Sequence, residues 1–201
     1  MRLISQLLAV MSLAVCVLTG CQSPKVSSPS GNSVSTRNNS YSLLHQLLAE
    51  QKNVSLLRFI KNEPPDVSNL VKKIAATSGT GAALLEKFAR DDPAISLDDI
   101  RLPPGEVATR DAIAATKEKE LLGQSGGTFE LTLLLTQTEA LSYGWHLAEV
   151  TAANEPQPDR ARALAGIGDD MKNLYHEVFV QMLSKAKSSA TNPITIRPDQ
   201  R

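Results

Sequence analysis

Apolar side chains recur every three or four residues through most of this chain, and nowhere do they alternate over the length of a strand. A helix needs that period to gather its apolar residues on one face, so the chain is expected to be all-α. In the first run Leu43, Leu44, Leu47, Leu48, Val54 and Leu57 follow the spacing, and Pro64-Pro65 ends it. Asp66 or Ser68 then caps a second helix whose apolar face carries Val67, Leu70, Val71, Ile74, Leu85 and Phe88. After Asp91-Asp92-Pro93, a proline-containing connection over 93–104 leads to a shorter helix from near Glu106 to Leu122. Gly123-Gln124-Ser125-Gly126-Gly127 breaks the chain, Thr128 caps the next helix, and this one reaches the region of Ala153. Pro156 and Pro158 turn the chain into a last helix over 159–187, with Leu164, Met171, Tyr175, Val178, Phe179 and Met182 on one side. Ile194-Thr195-Ile196 is too short to be a competing strand. Four long amphipathic helices, with a long connection holding a short helix between the second and third, predict a four-helix bundle with one crossover.

The N-terminus carries an address. Met1-Arg2 is followed by a mostly apolar stretch, Leu3 to Leu18, of about 16 residues, short of the roughly 20 that a spanning helix needs. Leu18-Thr19-Gly20-Cys21 then resembles the bacterial lipobox, an aliphatic residue and two small ones before a cysteine. The resemblance implies that residues 1–20 are a lipoprotein signal peptide and that Cys21 takes a diacylglycerol group and an N-acyl chain. Each buried CH₂ of those chains contributes about 0.8 kcal/mol of membrane affinity, enough together to anchor the protein without a transmembrane helix. No other cofactor is expected. Gln22, where an Asp would signal inner-membrane retention, points to the outer membrane, facing the periplasm.

Behind the anchor, residues 21–40 are expected to be the lipidated cysteine and a flexible tether, because Ser, Asn, Pro and Gly leave little apolar surface to bury. The helical domain then covers 41–187, and 188–201, with Pro193 and Pro198, reads as a disordered tail.

Basic and acidic residues number 21 each, and cleavage removes Arg2, leaving a net charge near −1. Such a balance offers no basic face, so a nucleic-acid partner is not expected. Of the two cysteines, Cys16 is discarded with the signal peptide, which rules out an internal disulfide in the mature chain. The expected partners are the membrane, through the anchor, and a protein of the envelope.

Two motifs suggest enzymes and fail on context. Gly123-Gln124-Ser125-Gly126-Gly127 fits G-x-S-x-G, and Asp169 or Asp170 and His176 follow in hydrolase order. That serine works only when a strand delivers it into a sharp turn, and here the approach is helical. His176-Glu177 opens an H-E-x-x-H zinc motif, but Val180 stands where the second histidine belongs.

Polar residues inside the apolar stripes are more informative. At 100° per residue, Gln51 falls within the first stripe, Ser78 between Ile74 and Leu85 on the second, and Glu130 and Gln137 on the inward side of the third. His176 lies at the edge of the last stripe, beside Tyr175. Buried polar groups need partners, so these five mark an internal hydrogen-bonded layer or a ligand site.

Pro65-Asp66-Val67, Ser125-Gly126-Gly127-Thr128-Phe129-Glu130 and Leu174-Tyr175-His176 together resemble a family of ferritin-like helical-bundle proteins exported by bacteria. The resemblance implies a ferritin-like bundle with histidines and carboxylates inside. This chain departs from it: Ser78 and Gln137 stand where interior histidines would be, and Glu-x-x-His is missing before His45, His146 and His176. A di-iron centre needs that motif twice, and Glu130 with His176 alone cannot hold iron. The expectation is a non-catalytic, lipid-anchored domain, partner-binding or structural. The alternative is a metal-binding or oxidant-handling protein with an incomplete ligand set.

Overall fold

A computed structural model of the chain describes residues 30–55 and 64–191, with side chains described over 34–55 and 64–187. The expected signal peptide, Cys21, the start of the tether, Leu57 and residues 192–201 lie outside them. Among the described residues the regular structure is helical: α1 Ser30–Gln51, α2 Pro65–Asp91, α3 Pro104–Gly123, α4 Gly126–Ala153 and α5 Pro158–Thr191.

Proline and glycine set most of these boundaries. Pro65, Pro104 and Pro158 each stand at the first helical position, where a missing N–H costs nothing and φ is already helical. α4 starts at Gly126, whose φ of +58° is a left-handed conformation that glycine takes without strain. The helices therefore begin earlier than the expected caps: Pro64 and Ser125 flank them, and Asp66, Ser68 and Thr128 lie inside. α1 ends at Gln51, where the Asn53 side chain donates to the carbonyl of Ala49.

The tether expectation needs correcting at its C-terminal end. The chain is helical from Ser30, not from 41, and Arg37, Ser40, Tyr41 and Ser42 are buried. Their polar groups are met by distant backbone and side chains. The Ser42 hydroxyl lies 3.0 Å from the Ser96 carbonyl and accepts from the Asp99 N–H at 2.9 Å, while Asn39 donates to the Asp99 carbonyl. At the other end α5 continues to Thr191, into the stretch expected as a tail.

α1 runs antiparallel to α2, with Arg37 beside Asp92, His45 beside Glu86 and Leu48 against Gly81. It runs antiparallel to α4 as well, from Arg37 at Glu155 to Leu47 at Gly144. α5 closes on α4 and α2 in the same sense, from Arg160 beside Glu155 and Asp92 to Lys185 beside Glu130 and Asp66. Small residues let α4 and α5 approach: a Cβ on Gly168 would lie 3.5 Å from that of Ala148. Because α2 and α4 point the same way, the connection between them must return along the domain, and α3 lies in it. α3 packs on α4 and has one buried residue, Leu121. The core, including Leu44, Leu48, Ile74, Leu85, Leu133 and Met171, is enclosed by the other four helices.

Candidate functional site

Three of the five expected polar residues lie within about one helical turn of the same level inside the domain. Leu48 sits against Gly81 and Lys52 against Gly79, which brackets Gln51 opposite Ser78. Leu47 at Gly144 places Gln137 about two turns back towards the start of α4, roughly one turn beyond the level of Gln51. Ser78 and Gln137 are 1% and 2% exposed, and Gln51 is half-buried. The Oε1 atoms of Gln51 and Gln137 are buried and accept no hydrogen bond from the described protein atoms. An unsatisfied buried oxygen costs about 1–3 kcal/mol, so this level is a place for water or a small donor, with no formal charge of its own.

Glu130 and His176 do not join that level. Glu130 is buried near the start of α4, and Lys185 of α5 donates to it at 2.9 Å and to Asp66 of α2 at 3.0 Å. Its hydrogen bond to Glu130 raises the Lys185 pKa, so the ammonium is held there at neutral pH. Any cation approaching Glu130 must first displace that charge.

His176 is exposed, which corrects its expected place at the edge of the interior. The buried stripe of α5 is Leu164, Ile167, Met171, Leu174 and Val178, and His176 lies about 200° round from Leu174. Tyr175 and Phe179, which drew the expected stripe towards His176, are half-buried and 42% exposed. His176 instead edges an outer groove between α2 and α5, where Lys73 pairs with Glu177 and Gln181 donates to Asp66. Among the described residues no group of three or more His, Cys, Asp or Glu side chains is gathered to hold a metal ion. Ser125 is exposed in a link of two residues between helices, without the strand a nucleophile elbow requires.

The most connected polar cluster was not legible in the sequence. Glu155, in the turn between α4 and α5, has a side chain with no exposure. Its Oε2 accepts from Arg37 Nε at 3.1 Å and from the Tyr41 hydroxyl at 2.7 Å. Its Oε1 accepts from Arg160 Nε at 3.0 Å, Arg160 Nη2 at 2.9 Å and the Gln157 N–H at 2.9 Å. Both arginines also reach Asp92 Oδ2, at 3.2 and 2.8 Å. Two guanidiniums thus balance two carboxylates across the N-terminal part of α1, the end of α2 and the α4–α5 turn. Burial pushes the Glu155 carboxyl up, but the Gln157 N–H, the Tyr41 hydroxyl and the arginines outweigh it and leave its pKa below the usual value. Burial and the hydrogen bond to Glu155 hold the Tyr41 phenol well above its ordinary pKa, so it stays a donor.

No family model, curated protein or solved structure matches the chain. No helix among the described residues is long and apolar enough to cross a membrane. Among the described residues the buried charged side chains, Arg37, Glu130 and Glu155, are each ion-paired.

Proposed function

We propose that this chain is a lipid-anchored protein of the bacterial envelope whose helical domain binds a partner or plays a structural part, and is not itself a catalyst. In this reading Cys21 carries the diacylglycerol and N-acyl chains, and the protein sits on the outer membrane facing the periplasm. The four long helices, α1, α2, α4 and α5, form a ferritin-like four-helix bundle with α3 in its one crossover. Antiparallel neighbours around the core and parallel α2 and α4 support that topology.

One observation carries the non-catalytic reading: among the described residues each buried charge already has an opposite charge as its partner. A ligand set for metal, or a general acid or base, needs side chains free to meet a substrate or an ion. Glu130, the only acidic residue of the expected site, is instead occupied by Lys185.

The anchor is tested by growing cells with an alkyne-tagged fatty acid. The wild-type chain should be labelled, and Cys21→Ser should lose the label and remain an uncleaved precursor. Mature protein released from the variant with its N-terminus elsewhere would refute the anchor. Photo-cross-linking in intact envelopes tests the partner: a discrete adduct is expected, and its absence with linkers placed across every exposed face would refute binding.

A further inference from the structure

We propose that the groove between α1 and α3 docks an amphipathic helix of a partner protein, one whose apolar stripe is flanked by lysine or arginine. The inference rests on the partner-binding reading and specifies where and how binding occurs.

The groove has a volume of about 270 Å³. α1 supplies positions 43, 46, 47 and 50 to one bank, and α3 supplies 107, 110, 111 and 114 to the other. Each bank is therefore a row at i, i+3, i+4 and i+7, the pattern a helix presents to a helix lying alongside it. Leu43 and Leu47 line the α1 side, and Leu102 comes from the connection before α3. Large apolar side chains gather at the lip: Ile100, Val107 and Tyr143 are 39%, 42% and 39% exposed. A cluster of this kind on one concave surface marks an interaction site more often than scattered exposed residues do.

α3 is held from its α4 side, by Lys117 to Glu139 and by Arg110 to Tyr143, and no described residue fills the space towards α1. Charge then selects the occupant. Glu50 on the α1 bank accepts from Gln46 at 3.1 Å, and neither it nor Asp111 on the α3 bank has an ion-pair partner among the described residues. Among the described residues Arg110 is the one cation in the lining, and it is already engaged. Its Nε donates to Glu106 at 2.7 Å, its Nη2 to the Tyr143 hydroxyl at 2.9 Å, and its guanidinium lies over the Tyr143 ring. Among the described residues the uncompensated charge on both banks is negative, which complements basic residues on both edges of a docked apolar stripe.

The test uses the mature lipidated chain in nanodiscs of neutral phosphatidylcholine, with empty nanodiscs as blank. Two labelled synthetic helices share one leucine stripe and differ in its flanks, lysine in one and glutamate in the other. By fluorescence anisotropy at low salt, the lysine peptide should bind about tenfold more tightly than the glutamate peptide, with the gap narrowing at high salt. Glu50→Lys combined with Asp111→Lys should abolish or invert that preference, whereas Asp169→Lys with Asp170→Lys, on α5, should leave it intact. Val107→Ser should weaken both peptides about equally, and far-UV circular dichroism checks that each variant remains folded.

Binding of neither peptide, equal binding of both, or an equal response to the two charge reversals would overturn the inference. If a cross-linked partner were captured equally by wild type and by the Glu50/Asp111 reversal, partner binding would stand and the groove assignment would fall.

Discussion

Replacing Glu155 by alanine should destabilise the domain far more than its position in a turn beside Pro156 suggests. The carboxylate accepts from Arg37, Arg160, Tyr41 and the Gln157 N–H, and its side chain has no exposure. Its removal leaves two guanidiniums, 9% and 16% exposed, with Asp92 as their one remaining acidic partner among the described residues. Breaking a buried ion pair from one side costs about 3–5 kcal/mol, because the surviving charge stays desolvated. Asp92 still compensates in part, which places the loss near the lower figure, about 3 kcal/mol. For a domain of this size that corresponds to a fall of about 6–12 °C in Tm. Urea denaturation followed by far-UV circular dichroism should show a lower midpoint with an unchanged slope. Removing Arg160 as well should cost less than the sum of the two single changes. A loss below about 1 kcal/mol for Glu155→Ala, or strict additivity with Arg160→Ala, would refute the view that this cluster clamps α1 to the rest of the fold.

Other outcomes follow from the same contacts. The Glu155 pKa is lowered on folding, so its contribution is present above the unfolded value and is lost as pH falls through the folded one. Urea midpoints should therefore be steady near neutrality and drop below about pH 4, and Glu155→Gln should flatten that drop. Deleting residues 30–42 removes Arg37, Tyr41 and Ser42 and should lower the midpoint at least as far as Glu155→Ala does; a neutral deletion would restore the tether reading. Gln137→Met takes away a buried oxygen that lacks a partner among the described residues and should leave stability unchanged or raise it by up to about 1 kcal/mol, measured by the same denaturation. A clear loss would mean that this oxygen is held by bound water or a ligand.

The helices were legible because strong punctuation coincides with their ends. Pro64-Pro65, Pro103-Pro104, Gly126-Gly127 and Pro158 act locally, through φ and the missing N–H, and need no tertiary information. Ser78, Glu130 and Gln137 were legible for a similar reason, since helical periodicity alone turns them inward. The start of α1 was not. Its Ser- and Asn-rich turns have little helical preference of their own and are held by Asp99, Ser96, Asp92 and Glu155, which lie far along the chain. Glu155 itself reads as a polar turn residue, and only the convergence of Arg37 and Arg160 makes it buried. His176 misled because Tyr175 and Phe179 are apolar in type yet sit at the rim of the stripe, which shifts the apparent centre by about one residue.

The buried charges of the described residues are taken up by ion pairs within the chain, and we propose on that ground that the domain holds no resident metal. Metal analysis of the full chain, purified without chelator and with its lipid intact, tests it most directly. Iron, manganese and zinc should each stay well below one equivalent, and chelation should leave the melting temperature unchanged. Near-stoichiometric metal that is lost in Glu130→Ala, with melting lowered by chelator, would contradict it.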